Sequence, residues 1–347
     1  MNGTEDKLFF ASDYMEGAHP KILERLAETN MVSTIGYGDD IYSEHARELV
    51  RKACGADDAE VYFLVGGTQT NAVVIDSVLK QYQGVMAPET GHVSTHEAGA
   101  IEFTGHKVIT LPQKDGKLSA SDIKAYIDNY NSDENREHLV MPGMVYISQP
   151  TESGTLYSLE ELTEISNVCH EYDVPLYLDG ARLAYSLACP ENDVTLPDIA
   201  RLCDAFYIGG TKCGALLGEA VVIPKKGLIP HFFTLIKQHG ALLAKGRVTG
   251  IQFEALFTDD LYMEIGKNAI DAAAKIKIAL SDKGYEFAFY SPTNQIFIVL
   301  TEEEKARLEK KIVMGFWETL PDGRIVMRIA TSWATTEENV EKLISLL

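Results

Sequence analysis

Two stretches decide how this chain folds: Val174-Pro175-Leu176-Tyr177-Leu178-Asp179 and Ala205-Phe206-Tyr207-Ile208-Gly209-Gly210-Thr211-Lys212. Each is a short apolar strand that stops on a single ionisable group, a carboxylate in the first and a primary amine just past the second. Outward from them the same alternation repeats between about residues 45 and 225. Helical spacing runs through Glu44–Cys54 and a strand follows at Glu60–Val65. A helix then opens at Thr70-Asn71, with Val73, Val74, Val78 and Leu79 on its apolar side. Further strands are expected at Lys107–Leu111, Met144–Ser148, Leu176–Asp179, Ala205–Ile208 and Ala220–Ile223. Ser158-Leu159-Glu160-Glu161 places a serine three residues before a glutamate, the pattern of a capping box that starts a helix. Strand–helix alternation predicts an α/β fold with a mainly parallel sheet covered on both faces. In such a sheet a ligand binds off the carboxyl ends of the strands, where Asp179 and Lys212 stand.

After residue 250 the texture changes. A helical pattern spans Glu264–Lys283 and stops at Gly284; strands are expected at Gln295–Leu300 and Ile325–Ala330, and helices at Glu302–Lys311 and after Thr335-Thr336-Glu337-Glu338. The reading is a large domain over 1–250 and a small α/β domain over 251–347. The chain carries 31 basic and 51 acidic residues, a formal charge of −20. That argues against nucleic acid or an anionic membrane as partner, because phosphates select basic surfaces. No apolar run reaches the roughly 18 residues of a membrane span, and Met1–Lys7 lacks the basic-then-apolar order of a secretory signal. Five cysteines without Cys-x-x-Cys spacing fit a reducing cytoplasm and neither a disulfide framework nor a zinc site.

Four segments could carry chemistry. Gly66-Gly67-Thr68-Gln69-Thr70-Asn71 joins a strand to a helix, and free amides with a helix dipole favour phosphate there. It matches neither the Walker nor the dinucleotide pattern. In Gly91-His92-Val93-Ser94-Thr95-His96-Glu97 a histidine could lie on an aromatic ring; the His92/His96 spacing also suits a metal, but no third ligand is evident. Asp179-Gly180-Ala181-Arg182 puts an arginine at the same rim as the carboxylate, able to bind an anion by a two-point fork. Arg328 interrupts the apolar strand Ile325–Ala330, and a charge in such a run needs a partner, either a bound carboxylate or a structural acid. An amine and a carboxylate at strand ends suit pyridoxal 5'-phosphate: the lysine forms a Schiff base and the acid keeps the pyridine nitrogen protonated.

Taken in order, Ser12-Asp13, Tyr37-Gly38-Asp39-Asp40, Gly66-Gly67-Thr68, His92 through Glu97, Asp179-Gly180-Ala181-Arg182, Thr211-Lys212 and Arg328 resemble the low-specificity threonine aldolases of the β-eliminating lyase group, within the aspartate-aminotransferase-like fold type I enzymes. Arg328–Thr336 reads Arg-Ile-Ala-Thr-Ser-Trp-Ala-Thr-Thr, as in the branch with Gly-Thr-Lys before the lysine. The resemblance implies a seven-stranded sheet, a homodimer or homotetramer with shared sites, and a small amino-acid substrate. It implies catalytic roles for Lys212, His92 and Asp179. Cofactor contacts would come from Gly67, Thr68, His92, Asp179, Arg182, Lys212 and Arg247, the last reaching a neighbouring subunit. Substrate contacts would come from Ser12, Tyr37, Arg182 and Arg328, and no metal is implied. The implied reaction is cleavage of L-threonine or L-allo-threonine to glycine and acetaldehyde. Alternatives are another β-hydroxy-α-amino acid such as phenylserine, or β-elimination. One departure stands out: many relatives have Leu-Glu-Asn where this chain has Ile147-Ser148-Gln149-Pro150-Thr151.

Overall fold

The structure, a computed structural model, describes residues 7–347. Seven strands form the large sheet: β1 (Glu60–Leu64), β2 (Gln83–Pro88), β3 (Lys107–Leu111), β4 (Met141–Ser148), β5 (Leu176–Asp179), β6 (Ala205–Gly209) and β7 (Glu219–Ile223). Their order is β1-β7-β6-β5-β4-β2-β3. All neighbours run parallel except β7, which is antiparallel to both β1 and β6. The expected parallel α/β sheet is present, with one reversed strand inside it.

Alternate residues of each central strand enter different cores. Val145, Ile147, Leu176, Leu178, Phe206 and Ile208 pack on one face. Met144, Tyr146, Tyr177, Ala205 and Tyr207 pack on the other. Period-two side chains therefore bury both faces, which is why these strands read as near-continuous apolar runs. Local signals set the helix ends. The Ser158–Glu161 capping box is formed and starts the helix Leu159–Glu171. The helix Ile41–Cys54 begins earlier than its apolar spacing suggests, because Asp40 accepts the N–H groups of Tyr42 and Ser43. The helix expected at Thr70 begins at Gly67 instead, behind a glycine that supplies no side-chain cap.

A second sheet of β8 (Glu286–Phe287), β9 (Gln295–Leu300), β10 (Gly315–Thr319) and β11 (Ile325–Ala330) is antiparallel, in the order β10-β11-β9-β8. β8 and β10 were not legible: β8 has two exposed residues, and β10 mixes exposed Phe316 with Glu318. The helix Leu261–Asp282 serves both cores. Leu261, Ile265 and Ala269 pack with the large sheet, Ile276 and Leu280 with the small one. The first described residues also belong with the small sheet. Leu8–Phe9 pairs in parallel with Ile312–Val313, and the Phe10 carbonyl accepts the Ala330 N–H at 2.8 Å. Among the described residues, no helix is long and apolar enough to cross a membrane.

Candidate active site

The carboxyl ends of β5 and β6 meet through glycine. A Cβ on Gly180 would lie 2.1 Å from the Tyr207 carbonyl oxygen, and one on Gly209 would lie 2.3 Å from that of Ala181. Only bare backbones can approach so closely, so the turns after β5 and β6 stack and bring Asp179 and Lys212 to one rim.

Asp179, the last residue of β5, is 4 % exposed and saturated with donors. Its Oδ1 accepts the Tyr207 hydroxyl at 2.5 Å and the Ala181 N–H at 3.0 Å. Its Oδ2 accepts the Tyr146 hydroxyl at 2.8 Å and the Asn71 amide at 3.0 Å. Burial alone would raise its pKa, but the charge of His92 and these donors outweigh burial and hold the carboxyl below the usual range. Four donors around a buried acid make a permanent anion. Asn71 is fixed in turn: it accepts the Tyr177 hydroxyl at 2.9 Å and donates to Glu97 Oε1 at 2.7 Å. The same oxygen lies 2.7 Å from His92 Nδ1. With Nδ1 turned to Glu97, the Nε2 of His92 is the nitrogen left for other work.

Lys212 is partly buried, and its ammonium lies 5.9 Å from the centroid of Tyr14. Burial first, then the positive charge of Arg182, lowers its pKa, against Asp13, Asp179 and Glu219. A lysine eased towards its neutral form is the form that attacks a carbonyl. Glu219, 3 % exposed on the reversed strand β7, is pushed up to about 8 by burial.

The two arginines read from the sequence reach the same region. Arg182 Nε and Nη2 donate to Asp13 at 2.6 and 3.0 Å, and Asn294 donates to Asp13 at 2.9 Å. Burial would raise the Asp13 carboxyl, yet Arg182 and Lys212 hold it at about 2. Arg328 donates to the Ala11 carbonyl at 2.8 and 3.2 Å and to Gln295 Oε1 at 3.0 Å, and meets no carboxylate. Beside them the hydroxyl of Ser12 is buried without a partner.

The helix Gly67–Val78 points its N-terminus, with no side-chain cap and with Thr68 exposed, to the same end of the sheet. Free N–H groups and the dipole there suit a phosphate. Buried Thr70 Oγ1 has no partner, nor has Glu97 Oε2. Orphaned polar atoms around a donor-saturated anion, an amine and an open helix start fit pyridoxal phosphate. Two expected residues are elsewhere within the single chain. Arg247 donates to the carbonyls of Thr29 and Val32. Tyr37, 42 % exposed in a left-handed backbone (φ 61°), stacks under Lys237. His96 stacks between His92 and Trp317.

Asp13, Asn71 and Glu97 stand inside motifs read from the sequence but are given no role there, and the tyrosines Tyr146 and Tyr207 are not singled out at all. A signal existed for the tyrosines. Tyr177 lies two residues before Asp179 and Tyr146 two before Ser148, which pairs with Asp179, so strand parity puts these phenols on the carboxylate's side.

The β-eliminating lyase family model matches residues 10–316. The low-specificity L-threonine aldolases of a Pseudomonas species and of Pseudomonas aeruginosa are each 30% identical, the first over 98% of this chain and 97% of its own, the second over 96% and 95%. A solved structure of a Leishmania major threonine aldolase superposes with a TM-score of 0.94 at 45% identity, covering 98% of both chains. A match across most of the length, on a fold whose strand ends gather the expected lysine and aspartate, leads to one assignment: this chain belongs to the β-eliminating lyase family.

Proposed function

We propose that this chain is a pyridoxal phosphate-dependent carbon–carbon lyase that cleaves L-threonine or L-allo-threonine to glycine and acetaldehyde. The observation that carries the reading is the donor-saturated anion of Asp179 on the same rim as Lys212. Family membership and the threonine aldolases that the chain resembles support the choice of reaction.

When bound, pyridoxal phosphate supplies a ring that takes up the electron pair released as the Cα–Cβ bond breaks. The protein does the rest. Lys212, eased towards its neutral form by burial and by the charge of Arg182, would hold the cofactor through its amine. Asp179 keeps a negative charge where the ring nitrogen must stay protonated. Gly67, Thr68 and the helix behind them take the phosphate. Arg328, which meets no carboxylate of the protein, and Ser12, whose hydroxyl has no partner, would anchor the substrate carboxylate and so orient the bonds at Cα. Arg182, clasped by Asp13, positions the segment that carries Ser12. His92, oriented by Glu97, accepts the β-hydroxyl proton at Nε2. Tyr37 and Arg247 belong to a site shared with a second subunit of a homodimer or homotetramer. The charge of −20 and five free, buried cysteines support a cytoplasmic setting. The division into domains 1–250 and 251–347 belongs to the same proposal.

Purified protein supplied with cofactor and L-threonine tests the reaction. Acetaldehyde and glycine are expected; 2-oxobutanoate and ammonia would mean elimination, and no product would defeat the proposal. L-allo-Threonine and phenylserine run alongside rank the side chains accepted.

A further inference from the structure

The segment where this chain departs from many relatives delivers a residue that the mechanism does not use. The loop after β4 carries Glu152 back over the strand. Its Oε1 accepts the backbone N–H of His92 at 2.9 Å and lies 2.8 Å from Ser148 Oγ. Ser148 Oγ lies 3.2 Å from the Tyr146 hydroxyl, which donates to Asp179 Oδ2 at 2.8 Å. The carbonyl of Glu152 accepts from Gln295, whose own oxygen accepts from Arg328.

A count of hydrogens bears on the state of this chain of oxygens. Three oxygen–oxygen contacts need three hydrogens, and Tyr146 and Ser148 carry one each. Asp179 supplies none, because four donors hold it as an anion. Filling all three contacts takes a third hydrogen, and Glu152 is the group in this chain of oxygens able to carry it. The other oxygen of Glu152, Oε2, is buried without a partner, a far smaller cost for an acid's carbonyl than for half of a carboxylate.

We propose that Glu152 is a positioning residue of this site: as a neutral acid it donates to Ser148, which donates to Tyr146, which donates to Asp179, while the same carboxyl caps the N–H of His92. The inference rests on the site assignment above and adds to it a residue that orients both the anionic pole and the histidine. Burial and the charge of Asp179 raise its pKa, in keeping with a neutral form. The groups facing it are Asp179 from β5, Arg182 from the turn beyond, His92 after β2, Tyr146 on β4 and Tyr157 further along the chain. When Glu152 ionises, Ser148 turns to donate to it, and the Tyr146 hydroxyl loses its incoming hydrogen.

Glu152→Gln puts an acceptor oxygen in the same place without the acid proton, so it freezes the ionised pattern of hydrogen bonds without the charge. The first test needs no turnover: the infrared difference spectrum of the wild-type protein minus Glu152→Gln at neutral pH, without cofactor. Loss of a protonated-carboxyl band is expected; loss of carboxylate bands overturns the proposal. The second test uses the holoenzyme and L-threonine. Glu152→Gln and Ser148→Ala should each lower kcat about tenfold with KM unchanged, and the double variant should lose no more than either single one. The alkaline fall of kcat due to Glu152 should be absent in Glu152→Gln. Additive losses, or an unaltered alkaline limb, overturn the proposal. A protein with the expected infrared change but no aldehyde release would instead count against the aldolase reading alone.

Discussion

The large sheet and the small sheet each send one arginine to the site, and the two are held in opposite ways. Arg182, just beyond β5, is gripped at two nitrogens by the carboxylate of Asp13, whose side chain is wholly buried. Arg328, in the middle of β11, meets only neutral oxygens, the Ala11 carbonyl and the Gln295 amide. Asp13 raises the pKa of Arg182 against the effect of burial; burial and the neighbouring charge of Arg182 lower that of Arg328. One positive charge is paired with a carboxylate inside the protein, and the other meets only neutral oxygens. The proposed binding role of Arg328 rests on that difference in partner, since the residue type is the same.

The contrast can be broken most sharply at Arg182. Arg182→Ala leaves Asp13 buried with only Asn294, and chemical denaturation should show a loss of about 3–5 kcal/mol. Unchanged stability would make the pair ornamental. Arg328→Ala should leave the midpoint of unfolding nearly intact while KM for L-threonine rises about 100-fold, or ~2.7 kcal/mol. If both variants lost stability alike, the two arginines would be equivalent after all. A smaller effect follows from acid. The Asp13 carboxyl sits at about 2, below its ordinary 3.8, so its contribution is complete above the ordinary value and disappears as pH falls through about 2. The span is worth about 2 kcal/mol. Urea denaturation between pH 5 and 2 should show this decline in the wild type and not in Asp13→Asn. The smallest effect belongs to the anionic pole. Tyr207→Phe removes one of four donors and should cost only about 1 kcal/mol, because three remain on Asp179. A collapse of cofactor binding in Tyr207→Phe would show that the pole is less redundant than the clamp.

Much of the fold was legible because its strands read as short apolar runs, the central ones buried on both faces. Lys107–Leu111, Leu176–Asp179, Gln295–Leu300 and Ile325–Ala330 lie where apolar runs placed them. The reversal of β7 was not legible, since its residues are as apolar as those of a parallel strand. In the site, Asp179, Lys212, His92 and Arg328 announced themselves as ionisable groups at the ends of, or inside, apolar runs. Their keepers did not. Tyr146, Tyr177 and Tyr207 look like core aromatics until the register shows their hydroxyls converging on one carboxylate and its amide support. Asp13 and Arg182 are 169 positions apart, and no local pattern links them.

The pairing of Leu8–Phe9 with Ile312–Val313 changes what the beginning of this chain is. The stretch leading to Ser12 and Asp13 is zipped to Ile312–Val313 and tied through Phe10 and Ala330 to the small sheet, so it is mechanically cargo of that sheet. If the small sheet were to tilt, Ala11, Ser12, Asp13 and Arg328 would travel as one jaw. Strain would then gather at the clasp between Asp13 and Arg182, which ties that jaw to the anvil opposite.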